Sequence, residues 1–275
     1  MDKGDKQRCN SNNALHRELM LGLGTSLTSI DSANIYRELS ELENYSELAL
    51  HYDFSLLAGA HEARISSVTN MVQPGGAFDI TSVIGAPTVD ASTAFSRKSV
   101  KFDAADEILN MDSEYTTAGK AFTFFIVFNK ADVSNDLAVS SAANANSIKL
   151  EEDVITMQLG SSSAFTIDHG STAGGTVDYE IQASTPTLFL VRRNNSGHVF
   201  IYADNFIYIA LKSNAAAKAG ETFAIQHIGG TEEGTIADFT GNIGELGIYD
   251  LEIDIHNIEI LMKELCTKWG ITRTS

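Results

Sequence analysis

The hydrophobic pattern of the chain changes near residue 48. Before that point Ile35, Leu39 and Leu42 recur at spacings of four and three residues, and Ser32 is available as an N-cap. This spacing predicts a short amphipathic helix over residues 32–44. The preceding LMLGLGTSLTSI lacks the lysine of a phosphate-binding loop, so we interpret it as an irregular connector.

After residue 48 short β-rich runs alternate with clusters of Gly, Asn, Asp and Ser. Runs rich in Phe, Ile, Val, Thr and Tyr at close spacing are typical of an antiparallel sandwich or jelly roll. No helical crossover pattern separates them, which disfavours a parallel α/β fold. The runs are ELALHYDFS, KSVKFDA, AFTFFIVFN, DVITMQLG, AFTIDH, TLFLVRR, HVFIYADN, FIYIALK, TFAIQHIGG and IGELGIYD.

Two local structures are predicted in the second half of the chain. The turn residues of RRNNSGHVFIYADN indicate a hairpin between TLFLV and HVFIYA. At the C-terminal end Asp254 can cap a helix and Gly270 can end it. The apolar residues of this helix lie near one face, which we expect to pack on the sandwich; they are Ile255, Ile258, Met262, Leu265 and Trp269.

The charge balance disfavours polyanionic partners. The chain has 19 Lys+Arg against 36 Asp+Glu, a formal net charge of −17, which repels phosphate backbones and anionic membranes. A hydrophobic fraction of 43% nevertheless indicates an ordinary folded core. We therefore expect a folded protein that contacts neither nucleic acid nor membrane.

The sequence shows no export signal and no membrane span. The opening MDKGDKQRCN is polar, and the longest strongly apolar stretch, Ala121 to Phe128, is too short to cross a bilayer. Cys9 and Cys266 lie near opposite ends, so neither a disulfide framework nor a Cys-based zinc site is expected. These features predict a chain made in the cytoplasm and stabilised by packing.

The order of segments resembles the concanavalin A-like, laminin-G-like jelly rolls, including those of bacteriophage structural proteins. The similar stretches are LALHYDFS, SVKFDAADEILNM, AFTFFIVFNK, TLFLVRRNNSGHVFIYADN, FAIQHIGG and FTGNIGELGIYD with the helix ending KWGI. The last block is the most specific. The resemblance implies an all-β, antiparallel jelly-roll sandwich with a C-terminal helix for residues 48–275. Residues 1–47 lie outside the resemblance, and we predict that they form a separate N-terminal helical arm.

The resemblance implies fold more than function, because members of this family bind sugars, mediate adhesion, hydrolyse glycans or build virions. Because no export signal is visible, the first hypothesis is a non-enzymatic virion protein made in the host cytoplasm. It would be a capsid decoration or a tail appendage subunit. A carbohydrate-binding or adhesion module that recognises a cell-surface glycan is the alternative. A glycoside hydrolase is the third.

Residues 251–259, LEIDIHNIE, resemble the paired-carboxylate signature of laminarinase-like glycosidases. Retaining hydrolysis needs two carboxylates about 5 Å apart. Glu252 and Asp254 match the signature, but His256 or Asn257 stands where the second glutamate belongs. The acid/base is therefore missing, and we expect no catalysis and no catalytic residues.

Two sets of residues are candidates for ligand binding. Relatives of this fold often bind calcium through loop carboxylates, and Asp103 and Asp106 lie close together in the sequence beside Glu107. Calcium is therefore a possible cofactor. Three acids alone do not supply the six to eight oxygen ligands that calcium prefers. The aromatic residues Tyr202, Phe206 and Tyr208, near a predicted hairpin end, could stack on a sugar, although core packing is the default for such side chains.

The N-terminal arm is the predicted assembly element. Its apolar stripe of Ile35, Leu39 and Leu42 needs a surface to cover, and a helix of this length is marginal in isolation. That surface could belong to another virion protein, to a second copy of the chain or to its own sandwich. All three remain open from the sequence.

Overall fold

The computed structural model describes residues 48–272 apart from internal gaps. The gaps are residues 92, 105, 120, 133–135, 143–146, 151–153, 159–163, 169–180, 205–206, 214–221 and 232–238. For residues 136–137, 154–158, 164–168 and 207–213 the backbone is described without the side chains. The predicted arm helix, with Ile35, Leu39 and Leu42, lies outside the described residues.

Strands make up most of the described chain. They are β1 (Leu48–Asp53), β2 (Ile80–Ile84), β3 (Thr88–Asp90), β4 (Ser99–Phe102), β5 (Ile108–Thr116), β6 (Phe122–Lys130), β7 (Asp136–Ser140), β8 (Ser147–Leu150), β9 (Val154–Gln158), β10 (Ala164–Asp168), β11 (Thr187–Arg193), β12 (His198–Ala203), β13 (Ile207–Ser213), β14 (Ala224–Ile228) and β15 (Gly241–Tyr249). A short 3-10 turn (Phe54–Leu56) follows β1, and helix α1 (Ile255–Trp269) follows β15.

The described strands form two sheets. The first has eight strands in the order β13-β12-β11-β6-β15-β4-β3, with β1 also paired to β15. The second has seven strands in the order β10-β9-β8-β7-β14-β5-β2. Every pairing among the described strands is antiparallel. The predicted antiparallel β-sandwich with a C-terminal helix is therefore confirmed.

Alternating side chains of each strand build the core between the sheets. Along β6, Phe122, Phe124, Ile126 and Phe128 point inward and are completely buried, as expected for a strand of period two in the middle of a sheet. Thr123, Phe125, Val127 and Asn129 alternate with them and face the outer side of the first sheet, where α1 packs. Every residue of β6 is consequently buried.

Both predicted local structures are present. In the β11–β12 hairpin the amide of Asn194 donates to the carbonyl of His198, and Gly197 has a φ of 84°, a conformation that favours glycine. Asp254 caps α1 by accepting from two backbone amides, and Gly270 ends it with a φ of 68°. Within the described residues no helix is long and apolar enough to cross a membrane.

One residue of the predicted apolar face of α1 is not buried. Ile258, Met262, Leu265 and Trp269 are each at most 1% exposed, whereas Ile255 is 54% exposed. Ile255 is the first residue of the helix. The prediction was wrong for this residue, and the buried face of α1 begins at Ile258.

Candidate functional site

The predicted calcium ligands do not converge on one point. The carboxylate of Asp103 pairs with the Lys101 ammonium at 2.9 Å. Asp106 is exposed and has a φ of 77°. Glu107 is 3% exposed, and its Oε2 accepts from the amides of Asp103 at 2.6 Å and Ala104 at 3.3 Å. Glu107 therefore closes this loop from inside, and the described residues contain no group of three His, Cys, Asp or Glu that could hold a metal ion.

The structure places one of the three predicted aromatic ligands in a packed position. Tyr202 is only 2% exposed; it pairs with Leu190 across the β11–β12 ladder and faces the side of the first sheet on which α1 packs. The interpretation of Tyr202 as a residue that stacks on a sugar is therefore wrong, because its ring is buried. Phe206 lies outside the described residues, and for Tyr208 the backbone is described without the side chain.

The carboxylates of the glycosidase-like segment have local structural partners. Asp254 accepts from the amides of His256 at 2.9 Å and Asn257 at 3.0 Å as the N-cap of α1. These hydrogen bonds hold the pKa of the Asp254 carboxyl below its usual value. Glu252 lies 3.4 Å from the guanidinium of Arg192, which stacks over the ring of Phe200 at 4.2 Å. The segment therefore begins a helix and does not present two carboxylates from a strand.

A polar pocket opens where β4 and β6 end and β15 begins. Its volume is about 360 Å³, within the range of small-molecule sites. We call it the strand-end pocket. The residues with polar side chains that line it are Thr93, Lys101, Asp103, Asn129, Lys130, Ser184, Thr240 and Asn242.

Asp90 holds several of the residues that line the strand-end pocket. This residue ends β3 and is completely buried. Its carboxylate accepts from the amide of Thr93 at 3.1 Å and from that of Ala94 at 2.9 Å. It also accepts from Nδ2 of Asn242 at 3.3 Å. One buried charge thus positions Thr93, Ala94 and Asn242, three residues of the pocket lining.

Two asparagines present fixed amide groups to the pocket. Nδ2 of Asn129 donates to the carbonyl of Ala94 at 3.1 Å, and Nδ2 of Asn242 donates to Asp90 and, at 3.1 Å, to the Ser99 hydroxyl oxygen. A carbonyl and a carboxylate can only accept, so their position determines which end of each amide is the NH₂ group. Within the described residues the Oδ1 atoms of both side chains make no hydrogen bond.

The ammonium group of Lys101, which lines the pocket, already has two carboxylate partners. Nζ of Lys101 lies 2.9 Å from Asp103 and 3.4 Å from Glu62, both about half exposed. The hydrogen bond to Asp103 is the main reason that the pKa of Lys101 is raised. The second lysine on the lining, Lys130, is fully buried and donates to the Leu150 carbonyl at 2.7 Å, toward the other sheet.

A second polar cluster lies under α1 and is closed to solvent. Glu245 of β15 is completely buried; it contacts Lys268 and Trp269 of α1, each at 2.7 Å, and His51 of β1 at 2.7 Å. Lys268 also contacts Asp53 at 2.7 Å. Because every member is buried, this cluster attaches the helix to the first sheet and offers a ligand no access.

Sequence reasoning missed the residues of the strand-end pocket. Asn129 ends the most apolar run of the chain, and Asn242 stands second in a nine-residue buried strand. A polar residue where an apolar strand ends is the signal that could have identified them. Their convergence with Thr93 and Ser184 could not be inferred, because it depends on strand order.

Comparisons with known proteins identify the architecture. No family model matches the chain, and no curated protein matches it in sequence. Among solved structures, the chain is similar to domain 4 of AbnA, a GH43 extracellular arabinanase from Geobacillus stearothermophilus in complex with arabinotriose. The TM-score is 0.55 and the identity 13%, over 78% of this chain and 98% of that domain.

Toxin binding domains show the same likeness. The binding domain of Paraclostridial Mosquitocidal Protein 1 has a TM-score of 0.54 at 9% identity, over 80% of this chain and 52% of its own. The binding domain of botulinum neurotoxin DC, in complex with rat synaptotagmin II, has a TM-score of 0.51 at 14% identity, over 80% and 52%. The chain spans about half the length of these toxin domains. At such identities the likeness shows the β-sandwich fold alone.

Proposed function

We propose that the chain is a non-catalytic module that binds a glycan in the strand-end pocket. The observation that carries the proposal is a pocket of about 360 Å³ lined by amide, hydroxyl and paired charged groups. A few convergent polar groups in a preformed cavity are the usual basis of small-ligand recognition. The similar arabinanase domain was solved with arabinotriose, which supports a saccharide as the ligand class.

The positions of the candidate carboxylates support binding without hydrolysis. Asp254 caps α1 and Glu252 faces Arg192, so the segment that resembled a glycosidase signature serves the helix. Retaining or inverting hydrolysis needs a pair of carboxylates flanking one bond. Among the described residues that line the strand-end pocket, Asp103 carries the one carboxylate, and it is paired with Lys101.

Isothermal titration of the full-length chain against arabinotriose and other trisaccharides tests the proposal. We expect binding, and Asn129→Ala or Asn242→Ala should weaken it about tenfold, equivalent to about 1.4 kcal/mol, because each removes a hydrogen-bonding group. Gln226→Ala is the matched control, since this partly exposed amide lies on β14 of the other sheet. Failure of every trisaccharide to bind, or equal loss in the control, would overturn the proposal.

A role as a virion structural protein stays a prediction from the resemblance. None of the similar structures described above is a virion protein, and the arm on which assembly was predicted lies outside the described residues. Glycan binding by the sandwich is compatible with display on a particle. It does not depend on such display.

A further inference from the structure

The hydrogen-bonding polarity of the strand-end pocket determines which glycans it can accept. Nδ2 of Asn242 donates both of its hydrogens inside the protein and Nδ2 of Asn129 donates one, while Oδ1 of each residue is an acceptor. The hydroxyl of Thr93 donates to Asp90 and so also leaves its oxygen as an acceptor. Together with the carboxylate of Asp103, these groups give the described lining four side-chain acceptors, and the one cationic donor among them near the surface, Lys101, is paired with carboxylates.

The charges around the pocket act in the same direction. The ammonium of Lys101 is matched by Asp103 and Glu62, and the ammonium of Lys130 points into the sandwich. The buried Asp90 carboxylate adds negative charge next to Thr93, Ala94 and Asn242 of the lining. The net charge of −17 on the whole chain extends this repulsion to approaching anions.

We propose that the strand-end pocket selects neutral glycans and rejects those carrying carboxylate or sulfate groups. The inference rests on the proposed glycan-binding function and specifies its substrate class. A sugar hydroxyl can donate to the acceptors that the lining offers. A carboxylate or sulfate can only accept, so it would face unpaired acceptors and like charge, which is how a site discriminates against a competitor.

Asp103 and Glu62 are the residues that determine this specificity. Each lies near Nζ of Lys101, at 2.9 Å and 3.4 Å. If both carboxylates were amides, Lys101 would become the donor and the positive charge that an acidic sugar requires. Both side chains are about half exposed, at 51% and 52%, so their replacement leaves the core untouched.

The test compares matched ligands by isothermal titration of the full-length chain. Neutral hexose trisaccharides, such as galactotriose, are paired with counterparts in which the C6 hydroxymethyl groups are oxidised, such as trigalacturonate. We expect the acid to bind about tenfold more weakly or worse, since like-charge contacts cost more than 1.4 kcal/mol. The double variant Glu62→Gln with Asp103→Asn should recover most of this loss for the acid, so the ratio of neutral to acidic affinity should fall about tenfold relative to the unmodified chain.

The matched control removes the same two charges from the other sheet. Asp112→Asn with Glu114→Gln alters two exposed acids of β5 and should leave the preference unchanged. Equal gain in this control would assign the preference to net charge and overturn the role of the pocket. Tight binding of trigalacturonate by the unmodified chain would overturn the neutral specificity while leaving glycan binding intact. Binding by no saccharide at all would remove the proposed function as well.

Discussion

The indole Nε1 of Trp269 donates a 2.7 Å hydrogen bond to Oε2 of Glu245, and both residues are at most 1% exposed. Lys268, the residue before Trp269, donates to the same oxygen at 2.7 Å. The strand that contains Gly-Glu-Leu and the helix end Lys-Trp-Gly belong to the same block of the resemblance. In the structure these two segments contact each other through Glu245. The strand supplies a buried acceptor, and the helix supplies its donors.

Trp269→Ala should destabilise the domain by about 3 kcal/mol, because it deletes a buried indole and leaves a cavity. The ring also packs edge-to-face on Phe95 at a centroid distance of 5.0 Å, so that contact is lost too. Chemical denaturation measures the effect. An unchanged unfolding free energy would mean that Trp269 is exposed in solution, which contradicts its buried position between α1 and the first sheet.

Gly244→Ala should also destabilise the domain. A Cβ at this position would lie 2.7 Å from Cζ3 of the Trp269 ring, closer than packed carbon atoms approach, and overpacking costs about 1–3 kcal/mol. Gly119→Ala is the matched control, because a Cβ there meets nothing within 4 Å. Thermal melts of the two variants should differ; equal melting temperatures would show that the ring can move aside without cost.

Acid should destabilise the attachment of α1 through Glu245. Burial raises the pKa of this carboxyl, but Lys268 and His51 outweigh that effect and hold it at about 2, below the usual 4.5. Since the folded-state pKa is depressed, the stabilisation is present above pH 4.5 and is lost as the pH falls toward 2.

Glu245→Gln tests this linkage. At neutral pH the variant should lose about 3–5 kcal/mol, because it leaves a buried ammonium with one fewer counter-charge. The difference in unfolding free energy between the two proteins should shrink as the pH falls from 4.5 toward 2. A difference that stays constant over that range would contradict the assigned charge state of Glu245.

Asp90→Asn should loosen the wall of the strand-end pocket. An amide has one acceptor oxygen, whereas both oxygens of Asp90 now accept from the amide of Thr93 at 3.1 Å. Hydrogen exchange at the amides of Thr93 and Ala94 should accelerate, and glycan affinity should fall with it. Unchanged exchange would show that the loop holds its conformation without this carboxylate.

The long apolar elements could be predicted from the sequence, and the short or partly polar ones could not. The nearly continuous apolar run that forms β6 and the helical spacing and caps of α1 are each a strong sequence signal. By contrast β5 was not recognised as a strand, because its outer face carries Asn110, Asp112 and Glu114 and resembles a loop. The three-residue β3 is too short for periodicity to detect.

The candidate site is the part of the structure that the sequence predicted least well. Sequence reasoning favoured aromatic residues near hairpin ends, but Tyr202 belongs to the packed face of the first sheet. The pocket brings together Thr93, Asn129 and Asn242, which are far apart in the sequence. Only the order of β4, β15 and β6 in the sheet makes them neighbours.

The central claim is that a neutral glycan binds at Asn129 and Asn242 and leaves unhydrolysed. Nuclear magnetic resonance of the full-length chain with isotope-labelled asparagine tests it most directly, the two side-chain amide signals being assigned by substitution. Titration with a neutral trisaccharide should shift both signals along one saturable curve, and trigalacturonate at the same concentrations should not. If the signals stay still while the trisaccharide binds, or if the trisaccharide is cleaved, the account is contradicted.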